Sequence, residues 1–365
     1  MLTVIIVLLL LVLFVLFFLQ QPAFGKKPSG DRLKKIQASP HYKNGQFQNQ
    51  SATPSLTEGS GYITVMKEFF FDKDKRSVPT YNLPATKTDL FQLQSGEDVL
   101  VWFGHSSYYL QLDGKKILVD PVLSGHASPV KFTTRSFQGA DIYQPENIPA
   151  VDYLFITHDH WDHLDHSSLK ELKPKVNKII TGLGVGAHLE RWGFDPAIIT
   201  ELDWNETILP ENGFEVHSIP ARHFSGRSLQ RNGTLWSSFV LITANCKLFI
   251  GGDSGYDEHF KKAGERFGSF DLAILENGQY NKHWKYIHMM PEEVVQAAID
   301  LNAKKFLPVH WSKFSLSMHA WDEPIKRVVM EAARKGIDIV HPMIGEPLHF
   351  KRNTTAVKWW EKTES

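Results

Sequence analysis

The stretch Ile156-Thr-His-Asp-His-Trp-Asp-His-Leu-Asp-His166 places four histidines and three aspartates within eleven residues. It follows the apolar run Leu154-Phe-Ile156, which reads as a buried strand ending where the histidines begin. On extended backbone, side chains two apart point the same way, so His158 and His160 can project together. Asp162 and His163 lie on the following turn and can face a second point close by. Imidazole and carboxylate donors together suit borderline divalent ions, with zinc the default. Four donors are too many for one site that keeps an open position. The plain alternative is a solvated polar turn, which would require no further donors at other strand ends.

Such donors are present. "SIPARHFSG" sets His223 just after a predicted strand, "LFIGGDSGY" sets Asp253 after another, and "KFLPVHWS" sets His310 after a third. The glycines beside Asp253 let backbone approach closely. Each donor alone would more often be structural; three of them joining one dense loop favour the metal reading.

The rest of the chain bounds the problem. Forty Lys and Arg balance forty Asp and Glu over 365 residues, so no global charge draws the protein to nucleic acid. Cys246 is the only cysteine, sits in an apolar run, and excludes an intrachain disulfide. Residues 1–21 open with an uncharged run, Leu2 to Leu19, whose helix would reach ~27 Å against a hydrocarbon core of ~30 Å. It is expected to be a transmembrane anchor; a cleaved signal peptide ending near Ala23-Phe24-Gly25 is the rival. Lys26, Lys27, Arg32, Lys34 and Lys35 follow it, which predicts a single-pass membrane protein with its catalytic domain on the cytoplasmic side. Residues 22–88 have the composition of an extended linker or arm. A sheet-and-helix domain is expected over 89–351, opening with hairpins and continuing as alternating strands and helices, with a tail at 352–365. Two sheets enclosed by helices is the predicted α/β architecture.

The order His-x-His-x-Asp-His, His, Asp, His resembles the metallo-β-lactamase superfamily. That resemblance implies an αββα sandwich with two zinc ions between the sheet edges. It assigns His158, His160 and His223 to one metal, Asp162, His163 and His310 to the other, and Asp253 as the bridge. "WFGHSSYYLQLDGKKILVDPVLSG", "PARHFSGRSLQRNGTLWSSF", "GGDSGY", "RFGSFDLAIL" and "HMMPEE…VHWSKF" are similar to the N-acyl-phosphatidylethanolamine-hydrolysing phospholipase D branch, from about Val99 to His310. The segment "ENGQYNKHWKYIHMMPEE" after residues 272–275 departs from it.

The resemblance implies hydrolysis of a membrane phospholipid at phosphorus by a hydroxide shared between the metals. Asp162 and Asp253 are then catalytic as well as ligands, and His288, before Pro291-Glu-Glu, is the expected outer acid or phosphate donor. Tyr280, His283 and Arg227 are the candidate substrate-binding residues; Arg222 and Arg231 are further cations near His223. Asp120, at a strand end, is expected to accept a hydrogen bond from a ligand imidazole, with His105 in a similar place. Partners expected are the phospholipid and the bilayer, with no nucleic acid and a homodimer left open. Two alternatives stand beside this reading: a lactonase or other ester hydrolase using the same metals, and a membrane-tethered, non-catalytic zinc-binding protein.

Overall fold

The computed structural model describes residues 1–350 and 357–361. An N-terminal arm comes first: helices α1 (Leu2–Phe18) and α2 (Gly30–Ala38), a short hairpin of β1 (Tyr42–Lys43) and β2 (Gln46–Phe47), and helix α3 (Tyr62–Phe71). The first large sheet takes β3 (Val99–Trp102), β4 (Tyr108–Leu112), β5 (Lys115–Val119), β6 (Val151–Ile156), β7 (Val176–Gly182) and β8 (Ile199–Leu202). The second takes β9 (Thr207–Glu211), β10 (Phe214–Pro220), β11 (Ser237–Thr243), β12 (Lys247–Ile250), β13 (Leu272–Glu276), β14 (Lys305–Val309) and β15 (Asp338–Ile339). Strand β16 (Pro347–His349) returns to pair with β3, so each sheet has seven strands, in the orders 16-3-4-5-6-7-8 and 15-14-13-12-11-10-9.

Both sheets begin antiparallel and become parallel where helices cross over: β5 to β8 on one side, β12 to β15 on the other. Helices α4 (His166–Leu172) and α5 (Gly186–Arg191) cover the first sheet. Helices α6 (His259–Phe267), α7 (Pro291–Asp300) and α8 (Glu323–Lys335) cover the second. The strand period of two sorts the core. Tyr153 and Phe155 of β6 face the second sheet, where they meet Phe214 and Phe239. Leu154 and Ile156 face outward onto Leu169 and Leu172 of α4. Burying each such side chain stabilises the fold by ~1.5–3 kcal/mol. Helix α7 starts as its sequence directs, with Pro291 in the first turn and the Glu293 carboxylate accepting the Met290 N–H at 2.8 Å. The result is an αββα sandwich whose strand ends converge on one edge.

Residues 22–88 pack against this sandwich. Ile36 and Phe47 are buried with Trp204, Leu235 and Trp236, and Arg32 bridges Glu201 at 2.6 Å and Glu190 at 2.7 Å. At the other terminus, Trp359 and Trp360 are buried, and Trp359 stacks on Trp311 with ring centroids 5.2 Å apart. The remainder of the expected tail, 352–356 and 362–365, lies outside the described residues.

The N-terminal expectation needs correction. Among the described residues no helix is long and apolar enough to cross a membrane. Helix α1 has 17 residues, so at ~1.5 Å each it falls short of a ~30 Å core. Gln20, Gln21 and Pro22 follow at once, and a short turn at Pro22–Phe24 redirects the chain onto the domain, where Phe24 meets Trp161 edge-on at 5.9 Å. A single-pass span and the topology drawn from it are therefore not supported by the structure.

Candidate metal centre

The loop after β6 brings its donors to the edge of the sandwich, as the strand geometry requires. His158 Nε2 lies 2.9 Å from His160 Nδ1, which lies 3.2 Å from His223 Nε2. His223 comes from the end of β10, and its Nδ1 is turned to the Ile287 carbonyl at 2.8 Å, leaving Nε2 for the centre. His163 is held the same way: its Nδ1 donates to Asp120 Oδ2 at 2.8 Å. Asp120 is itself fixed by the Thr157 N–H at 2.9 Å and the Thr157 hydroxyl at 2.6 Å. An imidazole whose second nitrogen is engaged presents the first in a fixed tautomer and direction.

Asp253, after β12, stands between two groups. Its Oδ2 is 3.8 Å from His158 Nε2 and 3.7 Å from His223 Nε2. Its Oδ1 is 3.2 Å from His163 Nε2 and 3.1 Å from His310 Nδ1. One carboxylate thus faces two donor sets, His158–His160–His223 and Asp162–His163–His310, and the second set also includes His105. His105 Nε2 approaches Asp162 Oδ2 at 3.0 Å, and reciprocal backbone bonds tie His105 to His310 and Trp311. His105 (φ 53°), Asp120 (φ 42°), His310 (φ 68°) and Ser312 (φ 66°) are all left-handed without being glycine. Such backbone is sterically costly and persists where surrounding structure holds a functional geometry in place.

The residues fit a metal centre. Three ring nitrogens and a carboxylate oxygen, from His158, His160, His223 and Asp253, converge within 4.8 Å of one another, a donor set that a cation can share. Buried His163 Nε2 and Asp253 Oδ1 make no well-formed hydrogen bond despite their proximity. Burial, aided by neighbouring imidazoles, holds His158, His223 and His310 well below the ordinary histidine range, keeping them neutral and able to ligate. Burial also brings His160 down to about 4, with Asp162 and Asp159 opposing it. For His163 burial is outweighed by Asp253, Asp162 and Asp120, which raise it well above its usual value. Asp253 is pushed up to about 6 by burial.

The spacers have their own partners. Asp159 accepts from the Gly226 N–H at 2.7 Å and the Thr234 hydroxyl at 2.9 Å. Asp165 caps α4 through the Ser167 and Ser168 N–H groups at 3.2 and 3.1 Å. Two of the three expected substrate residues are engaged away from the donors. Tyr280 binds Glu323 at 2.9 Å. His283 is clamped between Ser60 and Glu68, each at 2.8 Å.

Arg227 is buried and donates to the carbonyls of Ala23, Asp159 and Leu164 at 2.9, 2.7 and 2.6 Å. It joins the arm to the histidine loop. Arg227→Ala would strand those carbonyls, and since hydrogen bonds to a charged donor contribute ~1.5–3 kcal/mol each, a stability loss of at least ~3 kcal/mol is expected in urea unfolding. A loss below ~1 kcal/mol would show that water replaces the guanidinium.

The sequence reading gave no partner to His288, which pairs with buried Glu276 at 3.2 Å. No spacing pattern links residues across a loop in this way; only the fold brings them together.

Residues 115–311, more than half of the chain, match the model of the Beta-lactamase superfamily domain. The chain belongs to the metallo-β-lactamase superfamily. The N-acyl-phosphatidylethanolamine-hydrolyzing phospholipase D 1 of Caenorhabditis elegans is 32% identical over 295 residues, 74% of this chain and 80% of its own. An uncharacterized protein of Mycobacterium tuberculosis is 34% identical over 326 residues, 88% of this chain and 87% of its own. A metallo hydrolase from the archaeon Ignicoccus hospitalis shares the fold at TM-score 0.54 and 19% identity, over 70% of this chain and 99% of its own. With its histidine and aspartate clusters at the strand ends, this superfamily member is a metal-dependent hydrolase.

Proposed function

We propose that the chain is a phosphodiesterase of the phospholipase D type, acting on N-acyl-phosphatidylethanolamine or a close glycerophospholipid with two zinc ions. The observation that carries this reading is the pair of donor sets flanking Asp253, in a chain that shares 32% identity with a nematode enzyme named for that substrate. Divalent ions at such a centre supply Lewis acidity and water acidified from a pKa of 15.7 to ~7.

The protein's own groups supply the rest. His158, His160 and His223 would hold one ion, and Asp162, His163 and His310 the other, with Asp253 shared. In hydrolysis a water oxygen bonds to phosphorus and the bond to the headgroup oxygen breaks. Asp253 takes up the water's proton, and His288 gives one to the departing alkoxide. The products are phosphatidate and an N-acylethanolamine.

Lipid as the substrate's source is supported by the apolar surface of the arm. Helix α1 buries no residue, and neither does α3, whose Ile63, Phe70 and Phe71 are 86%, 69% and 81% exposed. Helix α3 is fastened to the loop that carries His288 through the Glu68–His283 contact at 2.8 Å. A cavity of about 510 Å³ reaches His223 and is lined mostly by polar side chains, Asn49, Gln230 and Arg231 among them, with Phe224, Leu229 and Ile287 as its apolar part. We infer that a bilayer presents the substrate to this face.

The test sets three substrates side by side: N-acyl-phosphatidylethanolamine in vesicles, bis(p-nitrophenyl) phosphate and an acyl-homoserine lactone. Phospholipid turnover that is lost with EDTA and restored by zinc is the expected result. Turnover of the lactone alone would replace this reading with carbonyl hydrolysis, and no turnover with metal bound would favour a binding protein.

A further inference from the structure

The loop between β13 and α7 contains a buried carboxylate–imidazole pair that neither donor set uses. Glu276 is the last residue of β13 and is 1% exposed. Its Oε1 accepts the Met289 N–H at 2.6 Å, and its Oε2 lies 3.2 Å from His288 Nδ1. The His288 ring sits with its centroid 5.0 Å from that of His223 and 5.2 Å from that of His310. One of its nitrogens falls within reach of the same point as donor atoms of Asp253 and His310. With Nδ1 facing Glu276, Nε2 is the nitrogen left for that point.

The base under Glu276 is rigid. The next residue, Asn277, donates its N–H to the Val309 carbonyl at 2.8 Å. At Gly278 a Cβ would fall 2.2 Å from the His310 carbonyl oxygen, so the strand end is seated directly against the strand that delivers His310. Asp120 does the equivalent work for His163 from the other sheet, at 2.8 Å. The two sheets therefore each place one buried carboxylate behind one imidazole of the centre. His163 is a ligand in the resemblance and His288 is not, so the second pair has a different task.

We propose that Glu276 is the positioning residue for the proton donor of the reaction, fixing the His288 ring so that Nε2 faces the oxygen that leaves phosphorus. This rests on the phosphodiesterase reading above and extends it to a residue in the segment that departs from the phospholipase D branch. The proton passes from His288 Nε2 to the alkoxide as the phosphorus–oxygen bond breaks, and the Glu276 carboxyl hands its own proton to Nδ1 across their 3.2 Å contact, so the ring ends neutral and Glu276 ends as a carboxylate. Loss of Glu276 leaves the imidazole free to rotate. Misplacement by about 1 Å costs ~10²-fold in such a transfer, and losing an outer partner of a site residue costs ~10–100-fold.

The experiment uses the full zinc-loaded chain with Glu276→Ala, Glu276→Gln, His288→Ala and the Glu276→Ala/His288→Ala double variant. Bis(p-nitrophenyl) phosphate is the substrate, and zinc content is measured for each. Expected for Glu276→Ala is a kcat lower by ~10–100-fold with KM and zinc content unchanged, and partial recovery in Glu276→Gln, which still fills both hydrogen-bonding positions. In the His288→Ala background, Glu276→Ala should cost almost nothing further. Histidine ¹⁵N spectra of the metal-free protein should show the His288 signals moving in Glu276→Ala while those of His223 and His310 stay.

Equal fold losses in both backgrounds, a fall in zinc content, or unmoved His288 signals would each overturn the assignment. Absence of turnover in the unaltered, zinc-loaded chain would instead overturn the phosphodiesterase reading, and the ¹⁵N spectra would still decide whether Glu276 sets the ring.

Discussion

Asp253→Asn is expected to lower zinc content and reduce phosphodiester turnover by more than the ~10–100-fold that loss of an outer partner costs. The side chain keeps its size, so the effect isolates charge and donor chemistry. Its two oxygens face different donor sets, at 3.1–3.2 Å on one side and 3.7–3.8 Å on the other. An amide offers one oxygen and one NH₂ group, and the NH₂ has no lone pair to give. Whichever way it turns, one donor set loses its shared ligand. The measurement is zinc per chain by elemental analysis together with kcat. Full zinc content with unchanged kcat would show that the carboxylate is not shared. His163 works the other way: Asp253 is the leading charge that raises its pKa against burial, so the variant lets His163 lose its proton more readily, and a fall in zinc content must come from the lost shared ligand.

What the sequence revealed of this centre followed from local geometry. A strand ending at Ile156 makes His158 and His160 neighbours through its period of two, and the ends of β10, β12 and β14 deliver His223, Asp253 and His310 without any long-range knowledge. Asp120 was legible for the same reason, since it follows β5 directly. Glu276 was not, although it too ends a strand. Its partner lies twelve residues on, across a loop whose path depends on packing against β14.

In sequence, Tyr280 and His283 are candidates for contact with substrate only through sharing that loop. In the fold their polar atoms turn to α8 and α3, which sequence proximity could not reveal. Arg227 is a candidate substrate-binding residue by its charge, and its burial against three carbonyls depends on the arm folding back. The apolar run at the N-terminus was read by length, one residue beyond where the helix stops.

The metal-free protein should lose stability steeply as pH falls below ~6.5, the ordinary histidine value. Burial lowers His105 to about 4 and His259 to about 3, and holds His158, His223 and His310 well below their usual value. Between 6.5 and those lower values the unfolded chain binds protons that the native chain does not. The stability these groups give is thus complete above ~6.5 and is withdrawn as pH falls, by ~1.4 kcal/mol per pH unit for each such histidine.

Raised groups act in the opposite sense, His163 and Asp253 in the centre and Glu276 and Glu293 beside it. His163 is raised, so its contribution is complete below ~6.5 and lost as pH rises through its folded value. Asp253, raised to about 6, likewise favours the native state at low pH. The depressed histidines, His160 among them, outnumber the raised groups, and the net slope runs toward instability in acid. Urea midpoints at pH 7.5, 6 and 5 measure it, and a flat profile would refute the argument.

His259 supplies the control, because it lies outside the donor sets, 3.2 Å from the Ser254 hydroxyl. His259→Gln should flatten the slope by ~1.4 kcal/mol per pH unit with zinc content unchanged. Zinc should steepen the profile instead: at a thousandfold excess over Kd it adds ~4 kcal/mol near neutrality, and acid removes that gain because imidazole ligands bind metal only when deprotonated. A larger pH dependence with zinc than without, reduced to the same extent in both states by His259→Gln, would separate the protons displaced by burial from those displaced by the metal.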